Sequence, residues 1–118
     1  AADEERDQGF IEALRREDAD TAARYTELRE ARRAAIAELQ KVQTRYAAAG
    51  PGLRPVMLPQ LQDAQRRYAE TSLAVLDFLD ARDRRALARY EEETGRIKAL
   101  LEERTRARAD LEKMRRGE

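Results

Sequence analysis

The fold is decided by the stretch GPGLRPVMLP, which occupies residues 50–59 near the middle of the chain. It holds all three prolines of the sequence and two of its five glycines. Proline lacks an amide hydrogen and its ring clashes with the preceding helical turn, so we predict that no helix runs through this stretch. The sequence on either side has no proline and very little glycine. The pattern therefore predicts two long helical arms joined by one stiff loop.

Composition indicates the same all-α class. The chain has 118 residues, enough for one domain, and 41% of them are charged whereas only 5% are aromatic. Such a composition is typical of long helices that bury a narrow apolar seam rather than a broad core. The 24 basic and 24 acidic residues cancel, so net charge favours neither nucleic acid nor an anionic membrane as a partner.

The first arm, about residues 3–48, repeats its apolar residues with a heptad period, and Asp18 and Arg32 are the two polar exceptions. The members of this seam are Ile11, Leu14, Thr21, Tyr25, Leu28, Ala35, Leu39, Val42 and Tyr46. Alternating steps of three and four residues place them on one helix face. Residues around Asp18 favour helix caps, but no glycine or proline interrupts them, so we expect one continuous helix. A break there would make residues 3–17 a separate helix.

The loop, residues 49–58, and the second arm, about residues 59–116, complete one hairpin domain that spans residues 1–118. Gly50 is placed to close the first helix in a left-handed conformation, and Pro59 suits the first turn of the second helix. The C-terminal half of the second arm continues a heptad through Tyr90, Thr94, Ile97, Leu101 and Leu111, with Arg104 and Arg108 at two seam positions.

Three regions carry more apolar or basic residues than a hairpin needs, and we expect partners to bind there. The first is the loop, with Leu53, Val56, Met57 and Leu58. These residues either fold back to cover the end of the seam or form an exposed docking site for a protein or lipid. The second is residues 72–79, which are apolar on nearly every side of the helix and include Leu73, Val75 and Phe78.

A two-helix hairpin covers only one side of residues 72–79, so a second chain packs there or an arm folds back into a larger bundle. We favour self-association, specifically a dimeric four-helix bundle of coiled-coil-like antiparallel hairpins. The third region is the basic end of the chain. Its candidate contact residues are the apolar Leu111 and Met114 and the basic Arg104, Arg106, Arg108, Arg115 and Arg116.

Charge supports an antiparallel register. Residues 3–20 hold eight acids against three bases, whereas residues 96–118 hold eight bases against five acids. Opposite charges along the two arms favour the pairing in which residue 3 lies near residue 103. Residues beyond Arg104 would then extend past the first arm.

The sequence contains little that could perform chemistry. Histidine and cysteine are both absent, which removes the commonest general base, nucleophile and transition-metal ligands. Asp77, Asp80 and Asp83 share a helix stripe, but arginines stand among them, and a salt-bridged solvent face explains them. Acidic residues likewise bracket the basic segment at 104–108, which disfavours nucleic acid. We therefore expect no enzyme, cofactor or metal.

Long antiparallel hairpins of this composition resemble the rod-shaped stalk and chaperone proteins of bacterial export machines. The acidic start followed by Phe10-Ile11-Glu12-Ala13-Leu14 resembles small proteobacterial lipoproteins. Neither resemblance rests on a defined motif, so no residue roles follow from it. The preference for arginine over lysine, with abundant alanine, is typical of GC-rich bacterial genomes.

The expected function is a non-enzymatic structural or protein-interaction module built on a self-associating helical hairpin, such as a bacterial adaptor, stalk or chaperone-like protein. The alternative is a peripheral envelope or membrane-associated protein, for example a processed lipoprotein or periplasmic domain, anchored by its loop or basic C-terminal end. No segment approaches the ~20 apolar residues that cross a bilayer. Both the cytoplasm and the periplasm suit such a chain.

Overall fold

A computed structural model describes the backbone of residues 2–118 and the side chains of residues 4–118. It contains three α-helices: α1 (Ala2–Glu17), α2 (Ala19–Ala48) and α3 (Arg54–Arg115). Across these described residues all regular secondary structure is helical. The predicted all-α class is therefore confirmed.

The chain divides into two compact units, Ala1–Leu79 and Asp80–Glu118. We call the first the bundle unit, because it contains α1, α2 and the first part of α3. We call the second the C-terminal unit. It consists of the remainder of α3 and the last residues of the chain, where Gly117 has a φ of 79° and ends the helix in the left-handed conformation.

The turn between α2 and α3 is shorter than the predicted loop of residues 49–58. It occupies residues 49–53, and α3 already begins at Arg54, so two of the three prolines lie inside a helix. No helix runs through the whole stretch, but the predicted start of the second arm at about residue 59 is wrong, for a simple reason. Pro55 lies in the first helical turn, where amide groups have no helical acceptor, and Pro59 removes only one bond near an exposed helix end.

Gly50 does not adopt the predicted left-handed conformation, since Gly117 is the one glycine with positive φ among the described residues. Instead α2 ends at Ala48, and its C-cap residue Ala49 has extended geometry, with φ −74° and ψ 144°. Pro51 disfavours the helical region for Gly50, so the helix cannot continue through the turn, and it ends without a left-handed residue. The carbonyl of Gly50 then accepts hydrogen bonds from the amides of Leu53 and Arg54, at 3.0 and 3.2 Å.

Within the bundle unit, α2 and the first part of α3 pack as the predicted antiparallel pair. Tyr25 near the start of α2 contacts Phe78, with ring centroids 5.3 Å apart. Toward the other end, Val42 and Ala64 are both buried and line the same groove. Residues with higher numbers in α2 thus meet residues with lower numbers in α3.

The seam predicted along α2 is the buried face of that helix, where Tyr25, Leu28, Ala35 and Val42 have exposures between 3% and 9%. Arg32, its polar exception, donates from Nε to the Ser72 hydroxyl of α3 at 3.1 Å. Arg32 therefore interrupts the apolar seam because it forms a polar contact between the two helices.

The first arm is not one helix, which corrects the predicted continuity over residues 3–48. Asp18 separates α1 from α2 and has extended backbone angles, with φ −161° and ψ 113°. Its carboxylate accepts a hydrogen bond of 2.6 Å from the Thr21 hydroxyl and one of 3.0 Å from the Asp20 amide. These two bonds lower the pKa of Asp18 below its ordinary value, because they favour the charged carboxylate. Asp18 is thus the N-cap of α2.

After this break α1 folds back along α2, antiparallel to it. Phe10 meets Tyr25 edge-on, with ring centroids 5.0 Å apart, and Asp7 forms an ion pair with Arg29. The expected proximity of residues 3 and 103 required a straight first arm, so the turn at Asp18 removes its premise. One core cluster results, formed by the buried residues Leu14, Ala22, Tyr25, Leu28 and Val75 with Phe10, Ile11, Ala74, Phe78 and Leu79 packed against them.

Candidate interaction surfaces

The C-terminal unit exposes a row of large apolar side chains, because none of the side chains of residues 80–118 is buried. Alternating steps of three and four residues place the row on one helix face. We call this row the C-terminal seam; it consists of Leu87, Tyr90, Thr94, Ile97, Leu101, Arg104, Arg108 and Leu111. Leu87, Tyr90, Ile97, Leu101 and Leu111 are 53% to 67% exposed. Leu100 and Met114 flank the seam at 52% and 70% exposure.

The basic residues predicted for contact all lie at the surface of this unit. Several are paired with acidic residues close to them in the sequence. Arg106 lies 3.9 Å from Glu102, Arg115 pairs with Glu112, and Arg116 lies 3.1 Å from Glu118. Arg104 donates from Nε to the Leu100 carbonyl at 3.4 Å. The acids that bracket the basic segment in sequence therefore also neutralise part of its charge in space.

The hairpin tip presents a second apolar surface. Leu53 and Val56 are 60% and 73% exposed, Leu58 is 39% exposed, and Met57 is half-buried. The predicted alternative that these residues fold back over the seam does not apply to Leu53 and Val56. Both side chains face solvent and are free for contact.

Arg54 holds this tip together, and the sequence reasoning missed it. Its guanidinium donates from Nε to the Ala49 carbonyl and from one terminal nitrogen to the Ala47 carbonyl, both at 3.1 Å. It also lies 5.7 Å from the ring centroid of Tyr46. The last carbonyls of a helix need donors from outside the helix, and Arg54 supplies one to the end of α2 and one to its C-cap residue Ala49. The only signal in the sequence was a basic residue two positions after a helix-ending Gly-Pro-Gly.

Residues 72–79 are divided between the interior and the surface of the bundle unit. Val75 is 6% exposed, and Phe78 is half-buried against Tyr25. The structure fits the alternative in which an arm folds back, because Leu14 of α1 lies in the same core cluster as Val75 and Phe78 packs against that cluster. The favoured alternative, in which Val75 and Phe78 bind a second chain, is corrected. Leu73 and Leu76 remain 56% and 54% exposed. Leu73 is the one predicted contact residue of this segment that stays on the surface.

The remaining surface offers open grooves rather than enclosed chambers. One groove along α2 and α3 has a volume of about 380 Å³ and is lined by Ala31, Ala34, Ala35, Glu38, Arg67, Glu70 and Thr71. The described residues include no group of three acidic side chains placed to hold a metal ion. No helix in the described part of the chain has the length and apolar character needed to cross a bilayer.

Comparison of the chain with known proteins identified no similar protein. No protein-family model matches the chain, and neither a curated protein nor a solved structure matches it. The functional argument therefore depends on the surfaces described above.

Proposed function

We propose that the chain is a non-enzymatic protein-interaction module that self-associates through its C-terminal unit. The bundle unit folds around its own core, whereas the C-terminal unit carries a heptad-spaced apolar row with no partner in its own unit. A monomer leaves this row in water, at a cost of roughly 25 cal/mol for each Å² of apolar surface that a partner helix could bury. A partner helix is the usual cover for a heptad seam.

The observation that carries this proposal is the exposure of the C-terminal seam. Ile97 and Leu101 lie at its centre and are 57% and 53% exposed. Isolated apolar residues on a surface are ordinary, but a periodic row along one helix is not. The sequence supports a non-catalytic role, since histidine and cysteine are absent and the charged groups of the unit pair locally.

The contact surface differs from that of the four-helix bundle predicted from sequence. That dimer used residues 72–79, where Val75 and Phe78 now belong to the intrachain core. We place the contact on the C-terminal seam instead. An adaptor, stalk or chaperone-like role fits a module with a folded bundle unit and a helix available for association.

Light scattering coupled to size-exclusion chromatography tests the proposal. We expect a mass that rises with concentration from the 13.6 kDa of one chain toward twice that value. Ile97→Glu places a charge in the seam and should keep the protein monomeric. Ala99→Glu, on an exposed face away from the seam, is the matched control and should still dimerise. A monomeric wild-type chain at every concentration contradicts self-association.

A second candidate function has its own observation. Leu111 and Met114 are 63% and 70% exposed, and Lys113, Arg115 and Arg116 lie beside them. An apolar pair among bases is the arrangement that binds an anionic membrane surface. Co-sedimentation with phosphatidylserine vesicles at low salt tests it, with phosphatidylcholine vesicles as the control. Binding that Leu111→Glu abolishes supports membrane association, and absence of binding removes it.

A further inference from the structure

The C-terminal seam contains two arginines whose positions restrict how a second copy could pack on it. Arg104 and Arg108 occupy adjacent seam positions, with Leu101 before them and Leu111 after them. Both arginines are exposed in the C-terminal unit. Any partner helix must therefore offer something other than a cation at two successive layers of the contact.

A parallel, in-register pair fails this requirement. Identical seam positions face each other in such a pair, so Arg104 would meet Arg104 of the second copy and Arg108 would meet its own counterpart. Two successive layers of like charge would interrupt the apolar contact. The parallel pair gains one ion pair at the edge of the seam, between Glu93 of one copy and Lys98 of the other. This ion pair is exposed to solvent and contributes little stability.

We propose that two copies pair antiparallel through the C-terminal seam, centred between Ile97 and Leu101. In this arrangement Ile97 of each copy faces Leu101 of the other. Arg104 then lies opposite Thr94, which is small and polar. No layer brings two arginines together.

The outer layers of the same arrangement are also complementary. Arg108 lies opposite Tyr90, whose ring face attracts a guanidinium. Leu87 lies opposite Leu111, so each end of the seam closes with an apolar pair. The apolar and basic residues of the seam are therefore complementary to a second copy that runs antiparallel, and they are not complementary to one that runs parallel.

Residues beside the seam favour the same centre. Leu100 meets Leu100 of the second copy, which extends the apolar contact at the midpoint. Met114 lies opposite Ala86, and Glu112 lies near Arg84. Lys98 faces its own counterpart at the solvent-exposed edge, where water and salt screen the repulsion.

This inference rests on the proposed self-association, and disulfide trapping tests the direction separately. The chain has no cysteine, so each introduced thiol reports one position. We expect neither Leu87→Cys nor Leu111→Cys alone to form a covalent dimer under mild oxidation, because like positions lie far apart in the antiparallel pair. An equimolar mixture of the two variants should form one, since position 87 then faces position 111. Ala99→Cys, which points away from the seam, is the control.

A covalent dimer from Leu111→Cys alone indicates parallel pairing and overturns the inference, while self-association stands. A second measurement leaves the seam intact: a spin label on Lys113→Cys, on the opposite face of the helix. Two such labels lie about 42 Å apart along the helix axis in the antiparallel pair. A separation of about 20 Å, the width of two helices, indicates parallel pairing. A chain that light scattering finds monomeric overturns the inference together with self-association.

Discussion

The bundle unit and the C-terminal unit follow the same heptad rule with opposite results. In α2, residues at seam positions such as Tyr25 and Val42 are 3% and 4% exposed. In the C-terminal unit, residues at equivalent positions such as Tyr90 and Leu101 are 67% and 53% exposed. A heptad period therefore identifies the edge that a helix can bury, but it does not say whether the same chain supplies the cover. Under the proposed self-association, the second seam is the functional surface, because a second copy covers it.

Hydrogen exchange should give the largest contrast between the two units. Amides near Val75 belong to a packed core and should open only with unfolding of the bundle unit. Amides near Leu101, on the same helix, should exchange much faster in dilute solution, because only helical hydrogen bonds protect them. Mass spectrometry of peptic fragments measures both regions in one sample. Equal protection at low concentration would show that the C-terminal unit is covered by its own chain.

Paired alanine substitutions sharpen the comparison next. Leu14 is 1% exposed in the core of the bundle unit, so Leu14→Ala should lower the free energy of unfolding by about 2–5 kcal/mol. Leu101→Ala should change it by less than about 0.5 kcal/mol at concentrations where the chain is monomeric. Urea unfolding followed by circular dichroism measures both. A similar loss from the two variants would contradict the division into a covered and an uncovered seam.

Removal of the Arg54 side chain should have an intermediate effect, confined to the bundle unit. Arg54→Ala leaves the carbonyls of Ala47 and of the C-cap residue Ala49 without the donors that the guanidinium provides. It should lower the free energy of unfolding by about 1 kcal/mol. Arg33→Ala is the control, because Arg33 only forms an exposed ion pair with Glu30 at 3.5 Å. The control should cost less than about 0.5 kcal/mol. If both variants unfold at the same urea concentration, Arg54 does not stabilise the turn.

Acid should produce the smallest effect, through the cap at Asp18. Hydrogen bonds from the Thr21 hydroxyl and the Asp20 amide lower the pKa of Asp18 from 3.8 in the folded chain. A carboxylate whose pKa is lowered by folding stabilises the folded chain at pH values above its ordinary pKa of 3.8. This stabilisation is lost as the pH falls below 3.8 and passes through the pKa of the folded state. The melting temperature should therefore fall with acid less steeply in Asp18→Asn than in the wild type. Parallel curves would show that Asp18 contributes nothing to this pH dependence.

Much of the bundle unit could be predicted from the sequence. The end of α2 at Ala48, the antiparallel pairing of α2 with α3 and the buried face of α2 all follow from one proline-rich turn and one heptad. From the sequence, the start of α3 is placed too late, because Pro55 is treated as a helix breaker and only Pro59 as a first-turn proline. Its cost depends on whether an amide donor is needed there, and the first turn of a helix needs none.

The turn at Asp18 illustrates what periodicity cannot decide. One extended residue reverses the chain without changing the spacing of Leu14, Tyr25 and Leu28, so a continuous helix and a broken one show the same heptad. The cap residues Asp18 and Thr21 were the only local signal. What tips the balance is the packing of Phe10 and Ile11 against the core cluster that holds Tyr25 and Val75, which is a long-range contact.

The hydrogen bond between Arg32 and Ser72 has a consequence for how α2 finds its place on α3. Stacked apolar layers look alike after a shift of seven residues, so hydrophobic contact alone leaves the alignment degenerate. A shift in one direction would set the guanidinium of Arg32 against Leu79, where it has no acceptor. The arginine and the serine thus make one layer chemically different from the others, and sliding of the two helices in that direction is penalised at this layer.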